Sequence, residues 1–446
     1  MKILKPAEPA VVRLCGRAPI QSEKTYRRFR YLLVRDGEDG HRILNTLTSE
    51  VICLEDDEYA RFMSLSSAYA PWMDALIEKR FLVEADTDDK QYVQLLRCLA
   101  RAFIRPALEK NYMILPTSAC NARCYYCYES GEEPAFMTDE TADETVRFIT
   151  AQHKSGPVRI TWFGGEPLLG ERIIDRIVEG LCKAGLEVSS CMVSNGYLFT
   201  RALIQKAVGS WHLERIQITL DGTQEVYDRV KDYRGAARRS PFLTVMDNID
   251  ALLENGVAVT VRLNVGRDNA DDLFRLTEQL AARFAGRERF RLYARMLSEE
   301  CGYRPLKLAP GEKARLRESC DALCERIGKT FGSRTEPDIP EAASAYCMAD
   351  SRNYLLINPR GELALCDREI SAHIIGTVTR GITVPEEKSY MTGYFEYEQC
   401  AECPLYPVCL LPTFCPVFER EERCRSRDRK ISDILRTLAQ LSGAEH

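Results

Sequence analysis

The hydrophobic and polar positions of the chain fall into three regimes. Within residues 22–105, the apolar runs Tyr31-Leu32-Leu33-Val34 and Arg42 to Leu54 are interrupted by Asp36-Gly37-Glu38-Asp39-Gly40 and by Thr48-Ser49-Glu50. Gly, Asp and Ser clusters between short apolar runs read as turns between strands, so a three-stranded meander is expected. Helices should follow near Asp56-Asp57 and from Pro71, where Trp72, Leu76 and Ile77 share one face. Phe81-Leu82-Val83 then leads into an acidic segment over 84–89. Strands packed with helices at this size predict a winged-helix-like module.

From Tyr112 to about Leu297 the pattern becomes apolar strand, polar loop, amphipathic helix, repeated. Strands are expected at 112–115, 158–163, 188–193, 215–220, 258–265 and 290–295. A representative helix covers 241–254, where Phe242, Val245, Ile249 and Leu252 share a face and Asn255-Gly256 closes the end. Six β/α units in succession imply parallel strands with right-handed crossovers. The predicted fold is therefore α/β, a partial (β/α)6 TIM-like barrel with its site at the C-terminal strand ends.

Beyond Cys301 the periodicity fades, and nine of the eighteen cysteines fall between Cys320 and Cys424. A loop-rich region ordered by metal fits that composition better than a conventional core, and a short helix over 431–441 finishes the chain. The expected organisation is 1–105, an N-terminal strand-and-helix module; 106–298, the barrel; 299–346, a bridge; and 347–446, a cysteine-rich domain.

Composition narrows the function. A chain of 446 residues accommodates roughly three domains of about 150 residues. Its 45% hydrophobic and 28% charged residues exclude wholesale disorder. A net charge of -5 with interspersed signs argues against a dedicated nucleic-acid binder. Prolines and charges over residues 1–14 do not read as a secretory signal, and no run approaches the roughly eighteen apolar residues of a membrane span. A cytoplasmic protein without membrane or nucleic-acid partners is expected. In that reducing setting the cysteines hold metal or do chemistry rather than form a disulfide framework. Cys15, Cys53, Cys98, Cys182 and Cys191 lack motif partners and are expected to be buried small hydrophobes.

The most specific motif is Cys120-Asn121-Ala122-Arg123-Cys124-Tyr125-Tyr126-Cys127, three thiols spaced C-x3-C-x2-C directly after the first barrel strand. Such a loop can wrap one face of a cubane [4Fe-4S] cluster and leave its fourth iron open. A zinc knuckle would use the same thiols.

In its barrel setting this motif resembles that of radical S-adenosylmethionine (SAM) enzymes. The resemblance implies that Cys120, Cys124 and Cys127 ligate a cluster whose open iron chelates SAM, with Tyr126 approaching the adenine. It also implies SAM contacts at Gly164, Gly165 and Glu166 after the second strand, the Glu166 carboxylate receiving the SAM ammonium. Ser194 and Asn195 would contact the ribose after the third strand, and Thr219 and Arg262 of the fourth and fifth strands complete the set. Arg234, Arg238 and Arg239 compete for the SAM carboxylate.

The C-terminal cysteines resemble the SPASM extension, which carries two auxiliary [4Fe-4S] clusters. Cys347 is followed by Gly361 and Cys366, then by Cys400-x2-Cys403-x5-Cys409-x5-Cys415 and Cys424. By that resemblance Cys400, Cys403, Cys409 and Cys424 hold one cluster and Cys347, Cys366 and Cys415 the other. The five-residue interval before Cys415 departs from the three of the SPASM pattern. A fourth thiolate for the second cluster would come from Cys301, Cys320 or Cys324, or be absent. One or two zinc sites are the alternative.

Together these features imply reductive cleavage of SAM to a 5'-deoxyadenosyl radical, hydrogen abstraction from a ribosomally made precursor peptide, and a crosslink, first of all a cysteine thioether. The precursor's leader would add as a strand to the N-terminal sheet, and a flavodoxin- or ferredoxin-type donor would supply electrons. Sulfatase-maturase-like chemistry, carbon-carbon crosslinking and epimerisation are alternatives within the class. A non-catalytic metal-containing peptide-binding protein is the alternative outside it. No general acid or base is singled out.

Overall fold

The two long apolar runs of the first hundred residues lack a clean alternation because the sheet they build is covered on both faces. The computed structural model describes residues 1–37, 39–65, 68–99, 110–127, 129, 133–153, 156–235, 239–297, 308–331, 339–341, 354–367, 374–384, 400, 402–409 and 427–441. They form two compact units, one comprising 1–108, 335–352 and 386–446, the other 109–334 and 353–385.

In the first unit, β1 (Lys2–Lys5) and β2 (Tyr26–Arg28) precede the meander β3 (Leu32–Gly37), β4 (Gly40–Asn45) and β5 (Glu50–Leu54). The antiparallel order is β1-β5-β4-β3, and β2 pairs separately with β6 (Leu82–Glu84). Asn45 makes the second turn, its buried Oδ1 accepting from the Leu47 and Thr48 amides while Ser49 takes a positive φ of 60°. Val34, Ile43, Ile52 and Leu54 pack with Phe62, Leu76 and Ile77 of the following helices and with Phe81 just before β6. Leu33, Leu44 and Val51 belong to a second core with Tyr31, Leu405, Tyr406, Val408, Ile434 and Leu438.

The second core brings distant stretches of the chain together. The described segments 400–409 and 427–441 belong to the N-terminal unit, whereas 354–384 belong to the barrel unit. Apolar side chains decide this, because the turn Tyr406–Val408 and the helix Arg427–Gln440 bury their hydrophobic residues beside Tyr31 and Leu33.

The barrel unit contains β7 (Asn111–Ile114), β8 (Val158–Trp162), β9 (Val188–Ser194), β10 (Leu213–Leu220), β11 (Ala258–Val265) and β12 (Phe290–Met296). All six are parallel and lie side by side in chain order, the partial α/β barrel expected. The helix Pro241–Glu254 occupies its expected span. β13 (Tyr354–Ile357) adds a further parallel strand beside β7, and β14 (Glu362–Ala364), β15 (Gly376–Thr377) and β16 (Gly381–Ile382) extend the sheet antiparallel. The helix Pro310–Phe331 occupies the presumed bridge. Along β10 and β11 one face is buried apolar, whereas Gln217, Thr219, Thr260 and Arg262 on the other remain partly open. No helix among the described residues is long and apolar enough to cross a membrane.

Candidate active site at the strand ends

The cysteine loop leaves β7 through Leu115 and Pro116, and its stem is tied down before the first thiol. Thr117 Oγ1 accepts from the Ala119 amide at 2.9 Å and donates to the Ala135 carbonyl at 2.7 Å, while Ala135 N donates to Ser118 Oγ at 2.8 Å. The loop after β8 presses against this stem. A Cβ on Gly164 would lie 2.2 Å from the Thr117 carbonyl, and one on Gly165 would lie 2.4 Å from that of Ala119. The glycines thus let the two loop backbones approach, and Glu166 N completes the junction by donating to Ala119 O at 2.9 Å.

Glu166 is fully buried and joins the ends of β8 and β9. Its carboxylate accepts from Leu168 N at 3.1 Å, Ser194 Oγ at 2.8 Å and Asn195 N at 2.8 Å. Burial outweighs these donors and raises its pKa to about 7. Three of its roughly four acceptor positions are taken, which leaves room for about one further donor. Asn195 Nδ2 in turn donates to Asn121 Oδ1 at 2.7 Å, so the β9 turn also holds the cysteine loop.

Tyr126 does more than stand before the third cysteine. Its hydroxyl donates to Asp221 Oδ2 at 2.7 Å and accepts from Lys231 Nζ at 3.1 Å, with Lys231 and Asp221 paired at 3.0 Å. Lys231 is 3% exposed and Asp221 fully buried. Burial alone would favour loss of the Lys231 proton, but the Asp221 carboxylate beside it wins, and the ammonium holds its proton well above the ordinary lysine value. For Tyr126, burial first and the same carboxylate second push the phenol well above its ordinary value.

This triad was only half legible beforehand. Asp221 lies two residues beyond Thr219 at the end of the fourth strand, and no motif spacing points to Lys231. A signal existed: in the helix Gln224–Lys231 the buried positions are Tyr227, Val230 and Lys231, so a charge sits on the apolar stripe.

The three thiols share one loop and feel one another's charge. Burial is the largest influence, lifting Cys120 to about 12, Cys127 to about 11 and Cys124 upward. The Cys124 and Cys127 thiolates add to the rise at Cys120. Deprotonating them together therefore calls for a compensating positive centre, as thiolate-bound metal provides. Among the described residues, no three His, Cys, Asp or Glu side chains converge into a single-ion site. Around the mouth, Asn121 Nδ2, Asp221 Oδ1, Arg262 Nε and Asn264 Oδ1 are buried without a partner. Buried polar atoms left open on adjacent strand ends suit a polar ligand. The residues present thus fit a thiolate-held cluster with a polar cofactor beside it.

Of the competing arginines, Arg234 is exposed and ties its amide to Asn121 O at 2.9 Å, and Arg239 pairs with Asp247 on the surface. Arg238 lies outside the described residues. Thr219 and Arg262 are register neighbours across β10 and β11, and Tyr293 follows on β12.

Of the C-terminal cysteines, Cys400, Cys403 and Cys409 frame the turn Tyr406–Val408 in the N-terminal unit. Burial raises Cys403, and the neighbouring Cys409 and Cys400 add to the rise. Cys366 follows β14 in the barrel unit. Cys347, Cys415, Cys424 and Cys301 lie outside the described residues. Cys320 and Cys324 lie one helical turn apart beside β12, Cys324 Sγ facing the Ala294 carbonyl at 3.8 Å. The expectation of buried spare thiols fails: Cys15, Cys53 and Cys191 are only half-buried, and Cys98 and Cys182 are exposed because each sits on the outer face of an amphipathic helix.

Residues 114–280 match the family model described as the Radical SAM superfamily. This stretch of the chain is a radical SAM domain. The GTP 3',8-cyclase of Clostridium perfringens (strain SM101 / Type A) is 30% identical over 163 residues, 36% of this chain and 48% of the cyclase. The sporulation killing factor maturation protein SkfB of Bacillus subtilis (strain 168) is 24% identical over 176 residues, 37% of this chain and 38% of SkfB. The chain thus spans about half or less of the length of these curated relatives. Among solved structures, native anSMEcpe with bound AdoMet and Cp18Cys peptide shares the fold. It is 15% identical, with a TM-score of 0.57 over 74% of this chain and 98% of its own.

Proposed function

We propose that this protein is a radical SAM peptide maturase that abstracts a hydrogen from a ribosomally made precursor peptide and installs a crosslink, first of all a cysteine thioether. The observation that carries the reading is the loop bearing Cys120, Cys124 and Cys127. It is anchored at the strand ends by Gly164, Gly165, Glu166 and Asn195 and surrounded by unpartnered buried polar atoms. When bound, a [4Fe-4S] cluster and SAM would supply a 5'-deoxyadenosyl radical at this mouth.

The chain's own residues hold and orient. The three thiolates would take the cluster, Tyr126 and the Ser194–Asn195 turn would contact the nucleoside, and Thr219 and Arg262 line the partly open face. A tetrahedral zinc with bonds of about 2.3 Å would draw its thiolates to about 4 Å of one another.

SkfB, a maturation protein, and anSMEcpe, solved with a peptide, favour a peptide substrate. The cyclase likeness, confined to about a third of this chain, favours a nucleotide as the second reading. Cys400, Cys403 and Cys409 with Cys424, and Cys366 with Cys347 and Cys415, would hold two auxiliary clusters. The leader would add to β3, an edge of the N-terminal sheet. A flavodoxin- or ferredoxin-type protein would donate electrons.

The test is anaerobic reconstitution with iron and sulfide, then SAM and dithionite. The expected outcome is 5'-deoxyadenosine with roughly twelve irons per chain, three cubane clusters. Bound zinc without the nucleoside would sink the proposal. Added precursor should bind and change mass, and a mass change in GTP instead would establish the nucleotide reading.

A further inference from the structure

The buried Lys231–Asp221 pair is costly. Taking both charges out of water carries a large desolvation penalty, and a well-packed apolar pair is often as stable or more so. Its stability contribution is therefore not what distinguishes it. What distinguishes it is where its hydrogen bonds go, because Lys231 touches the cysteine loop at two points. Its Nζ bonds the Tyr126 hydroxyl at 3.1 Å, and its main-chain carbonyl accepts from Arg123 N at 2.8 Å. Three residues on, Arg234 N donates to Asn121 O at 2.9 Å. Segment 231–234 is thus stitched to 121–126 on both sides of Cys124. Lys231 Nζ also sits 5.8 Å from the centres of the Tyr126 and Tyr227 rings, which fixes its direction.

We propose that Lys231 is a positioning residue that locks the cysteine loop in register before any cluster binds and places a buried cation beside Cys124. The proposal rests on the cluster assignment above for its electrostatic part and on the geometry alone for the lock. A cation near a thiolate ligand stabilises the more negative, reduced state, so its removal lowers the reduction potential.

The test uses the full chain in two forms. In the iron-free form, hydrogen-deuterium exchange of residues 121–127 reports the lock. In the reconstituted form, a redox titration followed by electron paramagnetic resonance reports the potential. The charge-balanced double variant Lys231→Met/Asp221→Asn avoids leaving Asp221 buried and unpaired. It should speed exchange of the loop by about tenfold; the potential is read in Lys231→Met alone, which keeps the Asp221 carboxyl group and should move it to a more negative value. Lys231→Arg should restore both towards wild type, and the surface variant Arg239→Ala should change neither. Wild-type exchange in the double variant, a wild-type potential in Lys231→Met, or no recovery in Lys231→Arg, would overturn the proposal. If the double variant does not fold, Tyr126→Phe decides the lock: exchange faster over 125–127 supports it, and unchanged exchange overturns it. If the wild type takes up no iron-sulfur centre, the proposed function fails, whereas the exchange arm still judges the lock.

Discussion

The loop around Cys120 and the turn around Cys403 both gather three thiols within ten residues, yet they are positioned by different physics. The first loop stands where a parallel strand ends, and its neighbours are the ends of the next strands. Hydrogen bonds from Thr117, Glu166, Asn195 and Lys231 fix it backbone by backbone. The second is a single short turn, held by its apolar residues. Leu405, Tyr406 and Val408 are buried with Tyr31, and the Tyr406 and Tyr31 ring centres lie 5.6 Å apart. Cysteine spacing marks both regions equally. It says nothing about whether topology or packing holds them.

The sharpest way to separate the two is to remove the thiols of one. Replacing Cys120, Cys124 and Cys127 together with Ala should abolish SAM cleavage while iron at the other cysteines remains. Iron analysis beside the nucleoside assay checks this, and loss of all iron would mean that the two regions load as one.

Next in size is the packing of the second region. Tyr406→Ala should cost about 3–5 kcal/mol, in the range for a truncated buried aromatic, in urea unfolding of the N-terminal unit. The barrel unit should keep its midpoint, and equal shifts in both would erase the contrast.

A pH experiment addresses the first region. An unfolded Glu ionises near 4.5 and Glu166 near 7. Between those values the folded chain keeps a proton the unfolded chain has lost, so stability falls as pH rises through that window. Glu166→Gln should remove this slope in denaturation curves measured at pH 5 and pH 7.5. Parallel behaviour of the two proteins would show that the three donors outweigh burial.

The smallest effect belongs to the barrel's outer surface. Arg176 pairs with Asp143 at 2.6 Å, both about two-fifths exposed. Arg176→Ala should leave the unfolding midpoint where it is in the wild type, and a clear loss would mean that the pair is part of the barrel's support.

The barrel was readable because each of its strands carries enough apolar residues to stand out from its polar loops, and the helix Pro241–Glu254 repeats its apolar face over four turns. β1 and β13 to β16 were not readable. They are two to four residues long, too short for any period, and exist because a neighbouring edge accepts them. The motif residues Tyr126, Glu166, Ser194 and Asn195 were legible as types at strand ends. That Glu166 ties β8 to β9, and that Tyr126 bonds a buried ion pair, was not.

By itself the sequence determined the six β/α units, the thiol motif at the first strand end and the cysteine spacing of the tail, because each is carried by residues close together in the chain. Only the tertiary structure decided that Lys231 meets Tyr126 across 105 positions and that Tyr406 packs beside Tyr31. It decided likewise that the turn Tyr406–Val408 and the helix Arg427–Gln440 belong with the N-terminal sheet. Burial and charge pairing act on whatever the fold brings together, and separation along the chain does not encode which groups those will be.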